Sequence, residues 1–189
     1  MGNVDVRSYI SGYVDGEGCF SIGFVKQPDR GKRKGYTTGY QVAHEFCVTQ
    51  GERSLASLKE LKDFFGVGQV IINRRYDNHR EHLYRFVVRK RQDLLEVIIP
   101  FFQQYPLRTA KKKDFQKFVQ CVRMIRDGIH LTPEGLIQII LIAQTMNRRK
   151  SRAEIIRILR DYTPNTDLND REMYILSQLN KGEDIVQAT

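Results

Sequence analysis

Cysteine is scarce in this chain: Cys19, Cys47 and Cys121 are its three, and they are scattered. No Cys-x-x-Cys pair or Cys/His cluster has zinc-ligand spacing, which excludes a zinc-finger reading. An odd count with no framework also excludes a disulfide-stapled secreted scaffold, so a reducing intracellular compartment is expected. Long hydrophobic runs are missing too. The longest, 136–143, is interrupted by Gln138 and is far too short to span a bilayer. The opening MGNVDVRS lacks the basic-then-apolar layout of a secretory signal, and Val6 stands where a myristoylation signal needs Ser or Thr. The expectation is a soluble intracellular protein, in cytoplasm or organelle matrix, with no membrane partner. No internal repeat is present. Acids are the scarce charge, with 22 Asp+Glu against 31 Lys+Arg and a formal net charge of +9. Such an excess draws polyanions, nucleic acid before an anionic membrane surface. A hydrophobic share of 41% suffices for a packed core and argues against disorder.

Periodicity gives an order of elements. Val6, Tyr9, Ile10, Tyr13 and Val14 recur at helical spacing up to the glycine-rich stop Asp15-Gly-Glu-Gly18. Residues 19–26 alternate, with Phe20, Ile22 and Phe24 on one face, and 28–39 read as a long basic hairpin loop. Residues 40–50 alternate again, with Val42, His44, Phe46 and Val48 facing one way. Leu55, Leu58, Leu61, Phe64 and Phe65 mark a second helix ended by Gly66; 69–75 and 82–89 form a second hairpin; 94–102 give a third helix closed before Pro106. Further helices are expected over 115–125, 133–146, 151–159 and 171–179, with Thr132 before Pro133 as a helix start. The fold class is α+β: an α-β-β-α-β-β-α core with helices on one face of a curved antiparallel sheet, plus C-terminal helices. Residues 1–127 form the core and 128–189 a helical extension packed on the same domain.

The chemistry concentrates in Tyr9-Ile-Ser-Gly-Tyr-Val-Asp-Gly-Glu-Gly-Cys-Phe20. Small residues Ser11, Gly12 and Gly16 on one side of a helix allow close approach of a second helix. Asp15 and Glu17 lie at the negative end of the helix dipole, where carboxylates are disfavoured unless a cation is held there. The unpartnered carbonyl of Gly16 could help ligate it, and hard oxygen donors suit Mg2+. A solvated glycine-acid turn is the plainer alternative. Ile10-Ser-Gly-Tyr-Val-Asp-Gly-Glu-Gly18 resembles the LAGLIDADG motif of homing endonucleases, with Ile10 and Ser11 replacing the leucine and alanine of the name. The element order is also that family's, over about residues 6–127.

The resemblance implies specific roles. Glu17 matches the metal-binding acid, with the Gly16 carbonyl beside it; Asp15 matches the acid that is structural. Gln50 resembles the glutamine that orders water and metal, and Lys111 the active-site lysine, with Lys112 adjacent. Without the family, 111–113 would read as a solvated charge run and Gln50 as a strand-end residue. The implied cofactor is Mg2+ or Mn2+, with Ca2+ a non-catalytic substitute. A double-strand cut needs two sites, and the sequence holds one motif, so the implied partners are a second copy and a near-palindromic double-stranded DNA site. Ser11, Gly12, Asp15 and Gly16 would line the homodimer interface.

Recognition falls to the sheet face opposite the helices. By alternation its candidates are Ser21 and Gln27 on the first strand, with Gly23 and Val25 between them. Gln41 and Glu45 follow on the second strand, beside Ala43 and Cys47, then Asn73 and Arg75 on the third and Arg85 and Arg89 on the fourth. Arg would read guanine, Gln or Asn adenine, and Glu cytosine. Lys32, Arg33 and Lys34 of the loop and Lys112 would meet phosphates or distant bases. His44 and His82 read as packed or edge histidines, not metal ligands. The rival function is a splicing maturase, binding intron RNA on the same fold without a metal at Glu17. A transcription regulator using 132–160 as a helix-turn-helix lacks a convincing turn. A chain opening at Met1 leads to the expectation that an intron, not an intein, encodes it.

Overall fold

A computed structural model describes residues 5–27, 38–74, 82–147 and 152–161. The expected sites Lys32, Arg33, Lys34 and Arg75, and the helix expected over 171–179, lie outside the described residues. Helix α1 is Val6–Glu17, followed by strands β1 (Gly18–Lys26) and β2 (Tyr40–Gly51), helix α2 (Leu55–Phe65), and strands β3 (Gln69–Asn73) and β4 (Leu83–Val88). Helix α3 spans 91–104 and α4 Lys111–Arg126; α5 is Pro133–Gln144 and α6 Ala153–Asp161. The α-β-β-α-β-β-α order read from periodicity is the order found.

Local chemistry explains most boundaries. Asp5 caps α1 by accepting from the amides of Arg7 (3.2 Å) and Ser8 (3.3 Å). Gly66 ends α2 in the left-handed region, φ 66, where glycine carries no Cβ penalty. At the end of α1 the glycine acts differently. Gly18 has an extended φ of −75, but a Cβ there would sit 2.5 Å from Val14 Cγ1 and 2.7 Å from the Val14 carbonyl oxygen. Space, not backbone conformation, demands that glycine. In α3, Pro100 has no N–H to close the ordinary turn. The helix widens just before it, and the Ile99 amide reaches the Leu94 carbonyl five residues back. Thr132 Oγ1 caps α5 by accepting from the Gly135 amide at 3.1 Å, as expected from the Thr-Pro sequence.

The sheet order is β1-β2-β4-β3, with β2–β4 and β3–β4 antiparallel. Gly23 approaches Ala43, and the Gln27 amide donates to Gly39, so β1 and β2 run antiparallel in a register that sets Cys19 opposite Cys47.

The chain divides into two compact units, Met1–Gly23 with Ala43–Val122, and Phe24–Val42 with Arg123–Thr189. The first has an aromatic core. Phe20 stacks on Phe46 (4.9 Å between centroids) and meets Phe102 (5.6 Å) and Phe118 (5.4 Å), while Phe46 meets Phe86 edge-on at 6.1 Å. These rings come from three strands and two helices, all with no more than 1% exposure. They fasten α3 and α4 to the inner sheet face and leave the other face polar. The second unit is built on α5, where Leu136, Ile137 and 139–143 are all buried. The apolar run in the sequence is therefore a core helix. Within this unit Arg152 lies over the Phe24 ring, 4.9 Å from its centroid. No helix among the described residues is long and apolar enough to cross a membrane.

Candidate functional site

The last turn of α1 separates its two acids. Asp15 turns back into its own chain, where its carboxylate accepts from the amides of Arg108 (2.9 Å) and Thr109 (3.1 Å) and from Thr109 Oγ1 (2.7 Å). Burial alone would raise its pKa, but these bonds, with Lys111 nearby, outweigh it and hold Asp15 below the ordinary value. Both oxygens are committed to tying α1 to the 108–109 loop. Glu17 is exposed.

That loop also delivers Lys111, the first residue of α4, whose ammonium donates to the Gly16 carbonyl at 3.0 Å. Lys112, one residue on, is exposed, and among the described contacts its backbone amide bonds Thr109. The helix phase thus selects Lys111 over its neighbour. The Gly16 carbonyl faces positive charge, as the negative end of a helix favours. With the Glu17 carboxylate it offers hard oxygen donors that fit Mg2+. Among the described residues no three His, Cys, Asp or Glu gather into a metal cage, so water and phosphate oxygens would complete the shell.

Gln50 lies one residue before the end of β2 on the helix side, and its side chain hydrogen-bonds the Tyr13 hydroxyl. Tyr13 in turn shares a 2.9 Å bond with Ser57 Oγ, and Ser57 donates to the Ser54 carbonyl at 2.8 Å. Ser57 has one hydrogen and spends it on Ser54, so Tyr13 must donate to Ser57 and accept from Gln50. The Gln50 NH2 is therefore the end turned to Tyr13. Desolvation raises the Tyr13 pKa, which keeps the hydroxyl protonated.

On the outer sheet face, Glu45 bonds Arg85 Nη2 through Oε1 and Arg89 Nε through Oε2, the latter at 2.6 Å. Arg85 Nη2 also reaches Cys47 Sγ at 3.0 Å. Cys47 was expected on the exposed face; it is on that face but buried, at 5% exposure. It hydrogen-bonds Cys19, whose thiol this bond lowers to about 7, while that of Cys47 is pushed up. Gln27 donates to Gln41 across the β1–β2 pair at 3.0 Å. Gln41 and Asn73 are exposed and Ser21 half-buried. His44 is half-buried on the helix side, and His82 is exposed.

The sequence matches the LAGLIDADG endonuclease family over residues 10–122. The chain belongs to that family. It is 35% identical over 126 residues to the uncharacterized 50.9 kDa protein in ND4 intron 1 of Podospora anserina, covering 66% of this chain and 25% of that one. It spans about a quarter of the length of that relative and of two probable intron-encoded endonucleases of Neurospora crassa. Among solved structures it is similar to the homing endonuclease I-TnaI, at 37% identity and a TM-score of 0.66, covering 82% of this chain and 96% of that one. It is also similar to I-SmaMI bound to an uncleaved DNA target in the presence of calcium ions, at 27% identity and a TM-score of 0.67, covering 86% and 50%.

The LAGLIDADG helix presents two different sides. Ser11 had been expected on the side meeting a second helix. It is instead 8% exposed and donates to the Tyr105 carbonyl at 2.9 Å, so its small size serves packing within the chain. Gly12 and Gly16 are exposed, flanked by Val6 (52% exposed) and Tyr9 (53%). Beside them a groove of ≈ 410 Å³ runs between α1 and the 104–108 segment, lined by Ser8, Gly12, Gln104 and Arg108 among others. Sequence reading missed Tyr13, Ser57 and Thr109. Tyr13 lies within the motif and could have been flagged; Ser57 and Thr109 carry no local signal.

Proposed function

We propose that this chain is a site-specific homing endonuclease that makes a double-strand break in a long, near-palindromic DNA site as a homodimer. The observation that carries the reading is the contact of the Lys111 ammonium with the carbonyl of Gly16, the residue before Glu17, at the end of the LAGLIDADG helix. Glu17 and the Gly16 carbonyl would hold Mg2+, with Mn2+ able to replace it and Ca2+ supporting binding without cutting. The calcium-containing I-SmaMI complex with uncleaved DNA is consistent with that. When bound, the metal supplies Lewis-acid stabilisation of the attacking and leaving oxygens of phosphodiester hydrolysis.

The chain's own residues do the rest. Asp15 fixes the approach of the 108–109 loop, which places Lys111 to offset charge developing on the phosphate. Gln50, its NH2 held by Tyr13, turns its carbonyl oxygen to accept a hydrogen bond from water. In the first unit Ser21, Asn73 and the Glu45–Arg85–Arg89 cluster would face the major groove and Lys112 the backbone; in the second, Gln27 and Gln41 are the base-reading candidates. Arg75, Lys32, Arg33 and Lys34, outside the described residues, are DNA-contact candidates from the sequence alone.

Gly12 and Gly16 leave α1 open to a second α1 across a two-fold axis, giving one active site for each strand. The test is cleavage of a pool of partly palindromic duplexes with Mg2+, native chain beside Glu17→Gln, with cut ends sequenced. Cutting by the native chain alone at one pseudo-symmetric site is expected. Equal cutting by the variant sinks the Glu17 mechanism. Specific binding without cutting points instead to the intron-RNA reading.

A further inference from the structure

The Glu45 cluster on the sheet face has a donor count that distinguishes its two arginines. Glu45 is only 17% exposed at its side chain, and both carboxylate oxygens are already taken by guanidinium groups. An acceptor spent in this way is poorly placed to receive a cytosine amino group. Arg85, 26% exposed at its side chain, commits Nη2 twice, to Glu45 and to Cys47 Sγ. Gripping the O6 and N7 of a guanine takes two parallel N–H groups, from Nη1 with Nη2 or from Nε with Nη2. Each choice needs Nη2, so Arg85 has no fork left.

Arg89 is different. Among the described residues it spends Nε alone, on Glu45 at 2.6 Å, and its side chain is 57% exposed. Its end-on pair, Nη1 and Nη2, is intact and pinned at one edge. A guanidinium tethered this way loses less freedom on binding than an untethered one.

We propose that Arg89 reads a guanine in the major groove through its Nη1/Nη2 edge, with Glu45 and Arg85 as positioning residues that hold it and touch no base. The inference rests on the DNA-cleaving reading above and names a base preference for the same surface. It replaces the sequence-based expectation that Glu45 would favour cytosine and Arg85 guanine.

The experiment substitutes every base pair of the selected target in turn. Relative binding and cutting are read for the native chain, Arg89→Ala, Glu45→Gln and the double variant. The native chain is expected to prefer G·C at one position of each half-site by about tenfold or more. Arg89→Ala should erase that preference and spare the others, which also reports that the variant is folded. Glu45→Gln should weaken the preference at the same position and add nothing once Arg89 is gone. A change at a separate position, additive with Arg89→Ala, means that Glu45 reads a base, and overturns the proposal. Uniform weakening by Arg89→Ala on all sequences, with a salt slope smaller by about one, makes Arg89 a phosphate contact and overturns it as well. A native chain that selects no duplex overturns the nuclease reading itself, and the guanine assignment with it.

Discussion

The Lys111 ammonium sits 3.0 Å from the Gly16 carbonyl oxygen, joining the first residue of α4 to the last turn of α1 across 95 positions of sequence. The contact places a cation at the negative end of a helix that also carries Glu17, so charge of both signs meets where a phosphodiester would be attacked. Lys111→Met should therefore lower kcat by about a hundredfold, comparable to losing one donor at a developing oxyanion, with little change in DNA affinity. Single-turnover cleavage beside equilibrium binding checks this. A matched loss of affinity would make Lys111 a docking residue.

Tyr13 orders Gln50 through a directed chain of hydrogen bonds that ends on the Ser54 carbonyl. Tyr13→Phe keeps the ring and its stacking on Tyr9 but removes the acceptor for the Gln50 NH2. One lost hydrogen bond corresponds to about 1 kcal/mol, so kcat should fall by roughly fivefold to tenfold. The decisive comparison is the double variant. Tyr13→Phe should cost nothing further in a Gln50→Ala background, whereas a purely structural Tyr13 would give additive losses.

Asp15 makes stability depend on acid. Its folded pKa lies below the ordinary aspartate value, so its contribution is fully present above the unfolded pKa and is lost as pH falls through the folded one. Asp15→Asn should destabilise the protein by about 1–2 kcal/mol near neutral pH, the upper end reduced because the site is partly solvated. The gap between variant and native should narrow as pH falls through the folded Asp15 pKa, below the ordinary carboxylate range. Urea titrations at several pH values read it out, and a gap that persists in acid would refute the assignment.

The fold was legible because each change of period, from helical to alternating and back, coincided with a glycine or proline stop such as Gly66 or Pro106. Gly18 was legible as a stop but not for its reason, since only the packed structure brings Val14 against the space a Cβ would fill. The site was half legible. Glu17 was singled out by the motif, whereas Gln50 and Lys111 were singled out by the family resemblance alone, since spacing along the chain leaves them a strand-end residue and a charge run. The Asp15–Thr109 and Ser11–Tyr105 bonds join residues 94 apart. No local pattern encodes such contacts, so the bond that occupies Ser11 within the chain was not legible. Alternation put Glu45, Arg85 and Arg89 on one face but could not say that they bond to one another. The division into units was also hidden, because the grouping of 24–42 with residues from Arg123 onward depends on tertiary contacts.

Gly12 separates the demands of the chain from those of a dimer. A Cβ at this position would meet nothing within 4 Å, so nothing among the described residues requires glycine. Glycine within a helix costs about 0.5–1 kcal/mol relative to alanine, a penalty retained here with no return in the single chain. Close approach of a second α1 would supply the return. Gly12→Leu should raise the thermal midpoint of the monomer by a few degrees while shifting the protein from dimer to monomer and abolishing double-strand cleavage. Sedimentation over a range of concentrations, beside thermal unfolding, reads both effects. Their opposite signs are the point of the test: a variant that is destabilised as a monomer would show Gly12 serving its own chain, and one that still dimerises and cuts would remove α1 from the interface.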